Sequence, residues 1–303
     1  MTFEVVIVGG SYAGISAGMQ LARARRTLLV VDAGVRRNRF ASHAHGFLGQ
    51  DGVPPGEIAA IGKAQLLAYP TVTWREGRVD GITRRADNTF DVVSGGETVH
   101  ALRVILATGV RDDLPAIAGL AERWGQSVFH CPYCHGYELD RGPVGVLGTH
   151  AAAEHAALLL PDWGGPVTYF SHGTPIADEA RAHILARGVT IIETPIREIR
   201  DRATVILADG SQHVTVGLFA VTQTHPSSAL AAELGCAMAT GPTGGTYVQT
   251  DFIKQTNIPN VFAAGDAALM MASIPLAVAD GTMAGVSAHR SLVLERAGMT
   301  PPH

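Results

Sequence analysis

Residues 2–32 read TFEVVIVGGSYAGISAGMQLARARRTLLVVD, and this stretch decides the fold. Five of the six residues at 3–8 are apolar and predict a buried strand. A glycine-rich turn at 9–14, a helix of small residues and a second apolar run that ends at Asp32 follow. This order predicts a dinucleotide-binding unit, because glycines bring the backbone close to a pyrophosphate and the acid binds ribose hydroxyls.

Gly9, Ser11 and Gly14 occupy the three glycine positions of that pattern. Ser11 departs from it and slightly crowds the closest approach of the backbone. Serine is the smallest tolerable replacement, so the pattern still predicts the site.

The same pattern starts again in the middle of the chain. Residues 144–147 predict a strand, and a turn at Gly148-Thr149-His150, a helix at 151–160 and a strand at 167–170 follow. A helix at 178–186 and a strand at 189–192 continue the alternation. The sequence therefore predicts an α/β protein with two doubly wound, Rossmann-like dinucleotide-binding domains.

Composition limits the class of protein. A length of 303 residues makes two domains the expectation. A net charge of −4 with 23 scattered Lys and Arg residues gives no footprint for nucleic acid or anionic lipid, and we expect neither as a partner. No apolar stretch reaches the roughly 18 residues of a membrane span. Three cysteines without a secretory signal indicate a soluble, cytoplasmic protein.

Two more strand ends carry small or acidic residues. Residues 104–107 predict a buried strand that stops at Thr108-Gly109, and residues 260–264 predict another that stops at Gly265-Asp266. A final helix is predicted from Pro275 to about residue 297, with Ser273 as its N-cap. Between these strands lies Cys131-Pro132-Tyr133-Cys134, a pair of cysteines three residues apart.

The glycine turn with Asp32, the Thr108-Gly109 strand end, the Gly265-Asp266 motif and the central cysteine pair together resemble the low-molecular-weight thioredoxin reductase family. The resemblance runs over essentially the whole chain. It implies a bound FAD, a homodimer, and a flavin domain (residues 1–112 and 241–303) interrupted by a nucleotide domain (residues 113–240). The residues it assigns to FAD are Gly9, Ser11, Gly14, Asp32, Thr108, Gly109, Gly265 and Asp266, with His45 near the flavin ring and Pro275 at the helix that faces it.

Two departures from that family are informative. His150 stands where a pyridine-nucleotide site needs its second glycine, and residues 169–173 lack the Arg pair that holds a 2′-phosphate, so the NADPH site is expected to be degenerate. His135 follows the second cysteine where thioredoxin reductases typically have Asp. With His135 at this position the chain resembles the flavin-dependent dithiol oxidases that form disulfides in gliotoxin- and holomycin-type natural products.

The resemblance implies a mechanism for the pair. Cys131 exchanges with a small-molecule dithiol, Cys134 lies under the flavin, and oxygen reoxidises the flavin to give hydrogen peroxide. His135, with an ordinary pKa of about 6.5, can take a proton from the incoming thiol near neutral pH. Both cysteines are expected at the start of a helix, whose dipole favours the thiolate.

Other functions fit parts of the pattern. A disulfide reductase would pass electrons from NADPH or another carrier to a thioredoxin-like protein, and a non-catalytic flavin sensor would use the pair as a redox switch. Cys131-x-x-Cys134-His135 also matches the c-type haem attachment pattern, which requires export. A zinc site lacks two further ligands at suitable spacing, so no metal is expected.

Overall fold

The structure is a computed structural model that describes residues 2–299. Its strands, in chain order, are β1 (Thr2–Val8), β2 (Leu28–Asp32), β3 (Val72–Glu76), β4 (Gly81–Arg84), β5 (Phe90–Ser94), β6 (Glu97–Leu106), β7 (Val110–Asp113), β8 (Val128–Phe129), β9 (Val144–Leu147), β10 (Val167–Phe170), β11 (Thr190–Ile192), β12 (Ile196–Arg200), β13 (Thr204–Leu207), β14 (Gln212–Val214), β15 (Gly217–Ala220), β16 (Gln223–Pro226), β17 (Met238–Thr240), β18 (Thr246–Val248) and β19 (Val261–Ala263). Its α-helices are α1 (Tyr12–Arg23), α2 (Pro55–Leu67), α3 (Pro132–His135), α4 (Ala153–Leu159), α5 (Asp178–Ala186), α6 (Leu230–Glu233) and α7 (Ile274–Arg296). Short 3-10 helices lie at Ala121–Arg123, Tyr137–Leu139, Leu160–Trp163 and Gly265–Ala268.

The described chain divides into two compact units. The first contains residues 2–37, 56–111 and 224–299, and the second contains residues 38–55 and 112–223. The sequence predicted that the nucleotide domain ends at residue 240, whereas residues from Thr224 onward group with the first unit. The physical reason is that α6 supplies Leu230 and Ala231, and the following turn supplies Cys236, to the buried core under β5 and β6.

The sheet of the first unit has seven strands in the order β3-β2-β1-β6-β5-β4, with β19 also paired to β6. The pairs β1–β2, β2–β3, β1–β6 and β6–β19 are parallel. Strand β3 pairs parallel to β2, and β4, β5 and β6 form the antiparallel part of the sheet.

Helices α1 and α7 pack closely on one face of this sheet because glycines let their backbones meet. A Cβ atom on Gly281 would lie 2.1 Å from the carbonyl oxygen of Ala13, and one on Gly285 would lie 2.4 Å from that of Ala17. Such distances exclude any side chain at either glycine. The close packing fixes α7 against α1, and with it the end of α1 that follows the glycine turn.

The second unit is built on a five-stranded sheet in the order β11-β10-β9-β15-β8, in which every neighbouring pair is parallel. A separate antiparallel sheet of β12, β13 and β14 accompanies it. Strands β9 and β10 and helix α5 have the bounds that the sequence predicted, and Ser273 caps α7 as expected. The predicted α/β class with two Rossmann-like sheets is confirmed. Within residues 2–299, no helix is long and apolar enough to cross a membrane.

Candidate functional site

The carboxyl ends of four parallel strands meet at one edge of the first unit's sheet, because β1, β2, β6 and β19 run in the same direction. These strand ends and the segments that follow them carry the eight residues that the resemblance assigned to FAD. They are Gly9, Ser11, Gly14, Asp32, Thr108, Gly109, Gly265 and Asp266. The fold therefore brings all eight to a common edge.

Three of these glycines have no room for a side chain. A Cβ atom on Gly9, whose φ is 102°, would lie 2.2 Å from the carbonyl oxygen of Ala107, and one on Gly14 would lie 1.8 Å from that of Gly9. A Cβ atom on Gly265 would lie 2.8 Å from the Cβ of Ala13. Ser11 is the N-cap of α1 and makes no side-chain hydrogen bond to its first turn. A surface of bare backbone at the N-terminus of a 12-residue helix suits a pyrophosphate.

Two carboxylates border the glycine turn. The amide of Gly10 donates to Asp32 Oδ1 at 3.0 Å, which fixes that carboxylate beside the turn in the position expected for a ribose partner. Asp266 Oδ2 pairs with Arg37 Nη1 at 3.4 Å, and both side chains are only about one-fifth exposed. At the start of α7, Ser273 Oγ accepts from the amide of Leu276 at 3.3 Å, and Pro275 is half-buried within the first turn.

Sequence reasoning missed a buried ion pair behind the Gly265-Asp266 motif. The amide of Gly265 donates to Asp280 Oδ2 at 2.8 Å, and Asp280 Oδ1 pairs with Lys254 Nζ. Asp280 is 5% exposed, although it lies in the middle of α7 among small and apolar residues. A lone acid in that run was the signal that could have revealed it. The pair holds the turn that follows β19.

These residues fit FAD. The bare glycine turn at the start of α1 accepts a pyrophosphate, Asp32 accepts a ribose hydroxyl, and the rigidly held Gly265-Asp266 turn lies at the same sheet edge.

The cysteine pair lies in the second unit, in a single turn of helix. Cys131 is the N-cap of α3, and the amide of Cys134 donates to the carbonyl oxygen of Cys131 at 3.3 Å. Both side chains are partly exposed. The expected helix dipole is lacking, because α3 has four residues and breaks into a 3-10 turn at Tyr137–Leu139, too short to build up a macrodipole. Activation of the pair therefore depends on its side-chain neighbours.

His135 is the nearest of those neighbours along the chain. Its imidazole stacks on the ring of Phe129, with 4.3 Å between the ring centroids. Burial lowers the pKa of His135, the carboxylate of Glu138 opposes that shift, and the nearby imidazole of His45 adds to it. The imidazole is therefore neutral at neutral pH and can accept a proton.

His45 belongs to the second unit in the structure, in a loop at residues 38–55. The resemblance placed it near the flavin ring; the structure places its Nε2 3.4 Å from Glu138 Oε1 and its Nδ1 3.6 Å from Asp51 Oδ1. Sequence reasoning assigned no role to Glu138. Glu138, His45 and His135 form an acid-base cluster beside the cysteine turn.

The second dinucleotide turn, after β9, differs from a working one. The Nδ1 of His150 accepts the amide hydrogen of Ala152 at 3.0 Å, so the imidazole takes an amide that a phosphate would need. Helix α4 begins only at Ala153, after a turn, rather than at the predicted residue 151. The phenol of Tyr169 lies 2.7 Å from the position of a Cβ on Gly148, and burial raises the pKa of that phenol to about 12. These residues do not fit a pyridine-nucleotide pyrophosphate.

The part of the chain that the structure describes holds no group of three or more His, Cys, Asp or Glu side chains placed to bind a metal ion.

A glycine turn that suits FAD and a turn with two cysteines, on two Rossmann-like sheets, are features of a disulfide oxidoreductase. The chain belongs to the pyridine nucleotide-disulphide oxidoreductase family, whose model matches residues 3–281. The predictions of a thioredoxin reductase-like fold, an oxidoreductase activity and FAD as cofactor are confirmed.

Individual relatives cover nearly the whole chain. A solved structure described as an oxidoreductase from Agrobacterium tumefaciens is 51% identical, with a TM-score of 0.93, and the match covers 97% of this chain and 99% of that one. The crystal structure of HlmI is 35% identical with a TM-score of 0.90, covering 98% and 94%. Thioredoxin reductase tcpT of Claviceps purpurea is 32% identical, covering 97% of this chain and 96% of its own. The family resemblance predicted from the sequence is confirmed.

Proposed function

We propose that the protein is a dithiol oxidase, which forms a disulfide in a small-molecule dithiol and uses oxygen as the electron acceptor. The observation that carries the proposal is His135, the imidazole after the second cysteine, whose pKa is lowered by burial. A neutral base beside the cysteine pair suits removal of protons from an incoming dithiol. A reductase instead needs a general acid, which delivers a proton to a leaving thiolate.

Each residue has a defined task in this reaction. A substrate thiol loses its proton to His135 and attacks Sγ of Cys131 in the oxidised Cys131–Cys134 pair, which releases Cys134 as a thiolate. The second substrate thiol then passes its proton to Cys131 as it attacks the substrate sulfur of the mixed disulfide, so the product leaves as a disulfide and Cys131 leaves as a thiol. The chemistry that FAD would supply when bound is transfer of two electrons from the reduced Cys131–Cys134 pair to oxygen, which yields hydrogen peroxide and re-forms the disulfide.

Glu138 and His45 change the pKa of His135 in opposite directions. The carboxylate of Glu138 favours the imidazolium that forms when His135 takes the proton, whereas His45 disfavours it. Glu138 Oε1 also lies 3.4 Å from His45 Nε2, so the carboxylate contacts both this imidazole and the surroundings of His135. Burial therefore keeps His135 neutral before the reaction, and Glu138 stabilises its charged form during it.

The alternative is a disulfide reductase that passes electrons from NADPH to a thioredoxin-like protein. The names of relatives such as thioredoxin reductase tcpT favour it. The bond between His150 and the amide of Ala152 opposes it, because this bond removes a phosphate ligand. A non-catalytic flavin sensor requires that no dithiol be turned over.

The test is oxygen consumption with a panel of small dithiols, with peroxide measured in the same vessel. We expect one peroxide for each disulfide formed. Cys134→Ser should keep the bound flavin and lose all turnover. The matched control is Cys236→Ser, since Cys236 is buried in the core of the first unit with its Sγ 3.8 Å from Thr256 Oγ1. Turnover retained in Cys134→Ser would remove the pair from the mechanism.

We also propose that the protein is a homodimer in a reducing, cytoplasmic compartment. Helix α7 supports the dimer, because four exposed apolar side chains are spaced along it by seven, three and seven residues and so share one face. They are Leu276, Met283, Val286 and Val293. Light scattering of the purified protein should give twice the mass of the chain, and Met283→Glu should give the mass of one chain.

A further inference from the structure

An aromatic side chain stands between the two cysteines and faces solvent. Tyr133 is 71% exposed, although it lies within the same turn as Cys131 and Cys134. A tyrosine ring gains free energy when its apolar faces leave water, and an exposed ring beside reactive groups marks a binding surface. The acid-base chemistry described above uses His135 and leaves this ring without a task.

Trp163 holds that ring in place. The indole meets the ring of Tyr133 edge to face, with the centroids 5.3 Å apart and the planes at 76°. Trp163 also packs on the backbone of the cysteine turn, since a Cβ atom on Gly136 would lie 2.7 Å from Trp163 Nε1. Gly136 is therefore required by the indole, which supports one side of the Tyr133 ring.

The segment that carries Trp163 is itself fixed. It is the end of the 3-10 helix Leu160–Trp163, and Leu160 is buried in the core of the second unit. Arg187 Nε donates to the carbonyl oxygen of Leu158 at 3.0 Å, and its Nη2 pairs with Asp162. Tyr133 and Trp163 are called the aromatic surface below. Because Leu160 and Arg187 hold the segment that carries Trp163, less conformational entropy is lost when a ligand binds there.

The chemistry of the aromatic surface selects its ligand. A ring offers a flat apolar face and gains most from another ring placed against it. The two carboxylates that neighbour it along the chain already lie beside basic side chains, Glu138 beside His45 and Asp162 beside Arg187, so they give a charged ligand little to pair with. We propose that Tyr133 and Trp163 determine specificity by binding an uncharged, small-molecule dithiol that carries a planar ring next to its two thiols. This inference rests on the proposed function and adds the class of substrate.

Binding of oxidised products tests the surface without turnover or oxygen. The probes are 1,4-dihydro-2,3-benzodithiine, a cyclic disulfide with an aromatic ring, and oxidised dithiothreitol, a cyclic disulfide without one. Calorimetric titration of the holoenzyme should show tighter binding of the benzodithiine. Tyr133→Ala should weaken that binding about 5- to 10-fold, as expected for loss of one aromatic pair, and leave oxidised dithiothreitol unchanged. Tyr133→Phe should retain the preference, because the ring remains.

The matched control is Tyr137→Ala. Tyr137 is 84% exposed and four residues further on, yet among residues 2–299 it takes part in no ring contact. We expect no change for either probe. Equal binding of the two probes by the unaltered protein would overturn the proposal, as would an unchanged preference in Tyr133→Ala or an equal loss in Tyr137→Ala.

Two further results separate this inference from its neighbours. If Tyr133→Ala weakens binding of a bacterial thioredoxin more than that of the benzodithiine, the surface docks a protein and the proposal is wrong. If the dithiol panel gives no oxygen uptake, the proposed oxidase function fails, whereas the binding preference reported by the oxidised probes is still measured. In steady state, Tyr133→Ala should raise KM for 1,2-benzenedimethanethiol without changing kcat, and a loss of kcat alone would contradict a role in specificity.

Discussion

Replacement of Asp280 tests whether the candidate FAD site, at the carboxyl ends of the parallel strands in the first unit, depends on a buried charge. Asp280 Oδ2 accepts the amide hydrogen of Gly265 at 2.8 Å, and its other oxygen pairs with Lys254. The side chains of Lys254 and Asp280 are 13% and 6% exposed. Asp280→Ala therefore leaves a buried ammonium without its partner and a buried amide without its acceptor.

The expected magnitude follows from these two losses. Breaking a buried ion pair by removing one partner costs about 3–5 kcal/mol, which corresponds to a fall of about 6–20 °C in the Tm of a unit of this size. Replacing both partners by apolar residues is often close to neutral for stability. The double variant Asp280→Leu, Lys254→Met should therefore recover most of the Tm, but the Gly265 amide still lacks its acceptor. Because a hydrogen bond to a charged group contributes about 1.5–3 kcal/mol, FAD affinity should stay about 10-fold or more below that of the unaltered protein.

The assay separates stability from positioning. Thermal unfolding is followed on protein stripped of FAD, and FAD affinity is measured by quenching of flavin fluorescence on titration with the same apoprotein. Asp280→Asn should lie between the other variants, since its amide oxygen can still accept from Gly265. An unchanged Tm in Asp280→Ala would refute the energetic reasoning. Full FAD affinity in the double variant would refute the positioning role.

Two other predictions concern the glycine turn and the acid-base cluster. Gly14→Ala should be purified with little flavin, because its Cβ would lie 1.8 Å from the carbonyl oxygen of Gly9. Gly62→Ala should keep its flavin, because its Cβ would contact the Ile15 side chain at 3.2 Å, which a shift of a few tenths of an ångström relieves. The ratio of visible to ultraviolet absorbance measures the flavin content of both variants. In an NMR titration, the pKa of His135 should fall in Glu138→Gln and rise in His45→Ala, since the first change removes the carboxylate that raises it and the second removes the imidazole that lowers it. Shifts in the same direction would contradict the cluster.

The sequence predicted most residues of the candidate FAD site because the motifs that carry them are local. Gly9 and Gly14 are needed within one turn, and Asp32 ends the next strand, so their spacing along the chain is also their arrangement in space. Parallel strands then bring the separate motifs to one edge without further information. The bounds of β9, β10 and α5 in the second unit could be predicted for the same reason.

What the sequence could not supply depends on long-range packing. Glu138 and His45 are far apart along the chain, and nothing in either segment shows that their side chains meet at 3.4 Å. The short length of α3 was equally hidden, since a Pro after Cys131 is also typical of a long helix. Trp163 packs against the cysteine turn at Gly136, and only the folded second unit reveals this contact.

Anaerobic mixing of the FAD-loaded protein with either a small dithiol or NADPH tests the central claim most directly. The account predicts rapid loss of the visible flavin absorbance with the dithiol, no loss with NADPH, and recovery of the colour with release of one hydrogen peroxide for each flavin when air is admitted. Rapid bleaching by NADPH, with none by the dithiol, would contradict it and show that the protein works as a reductase.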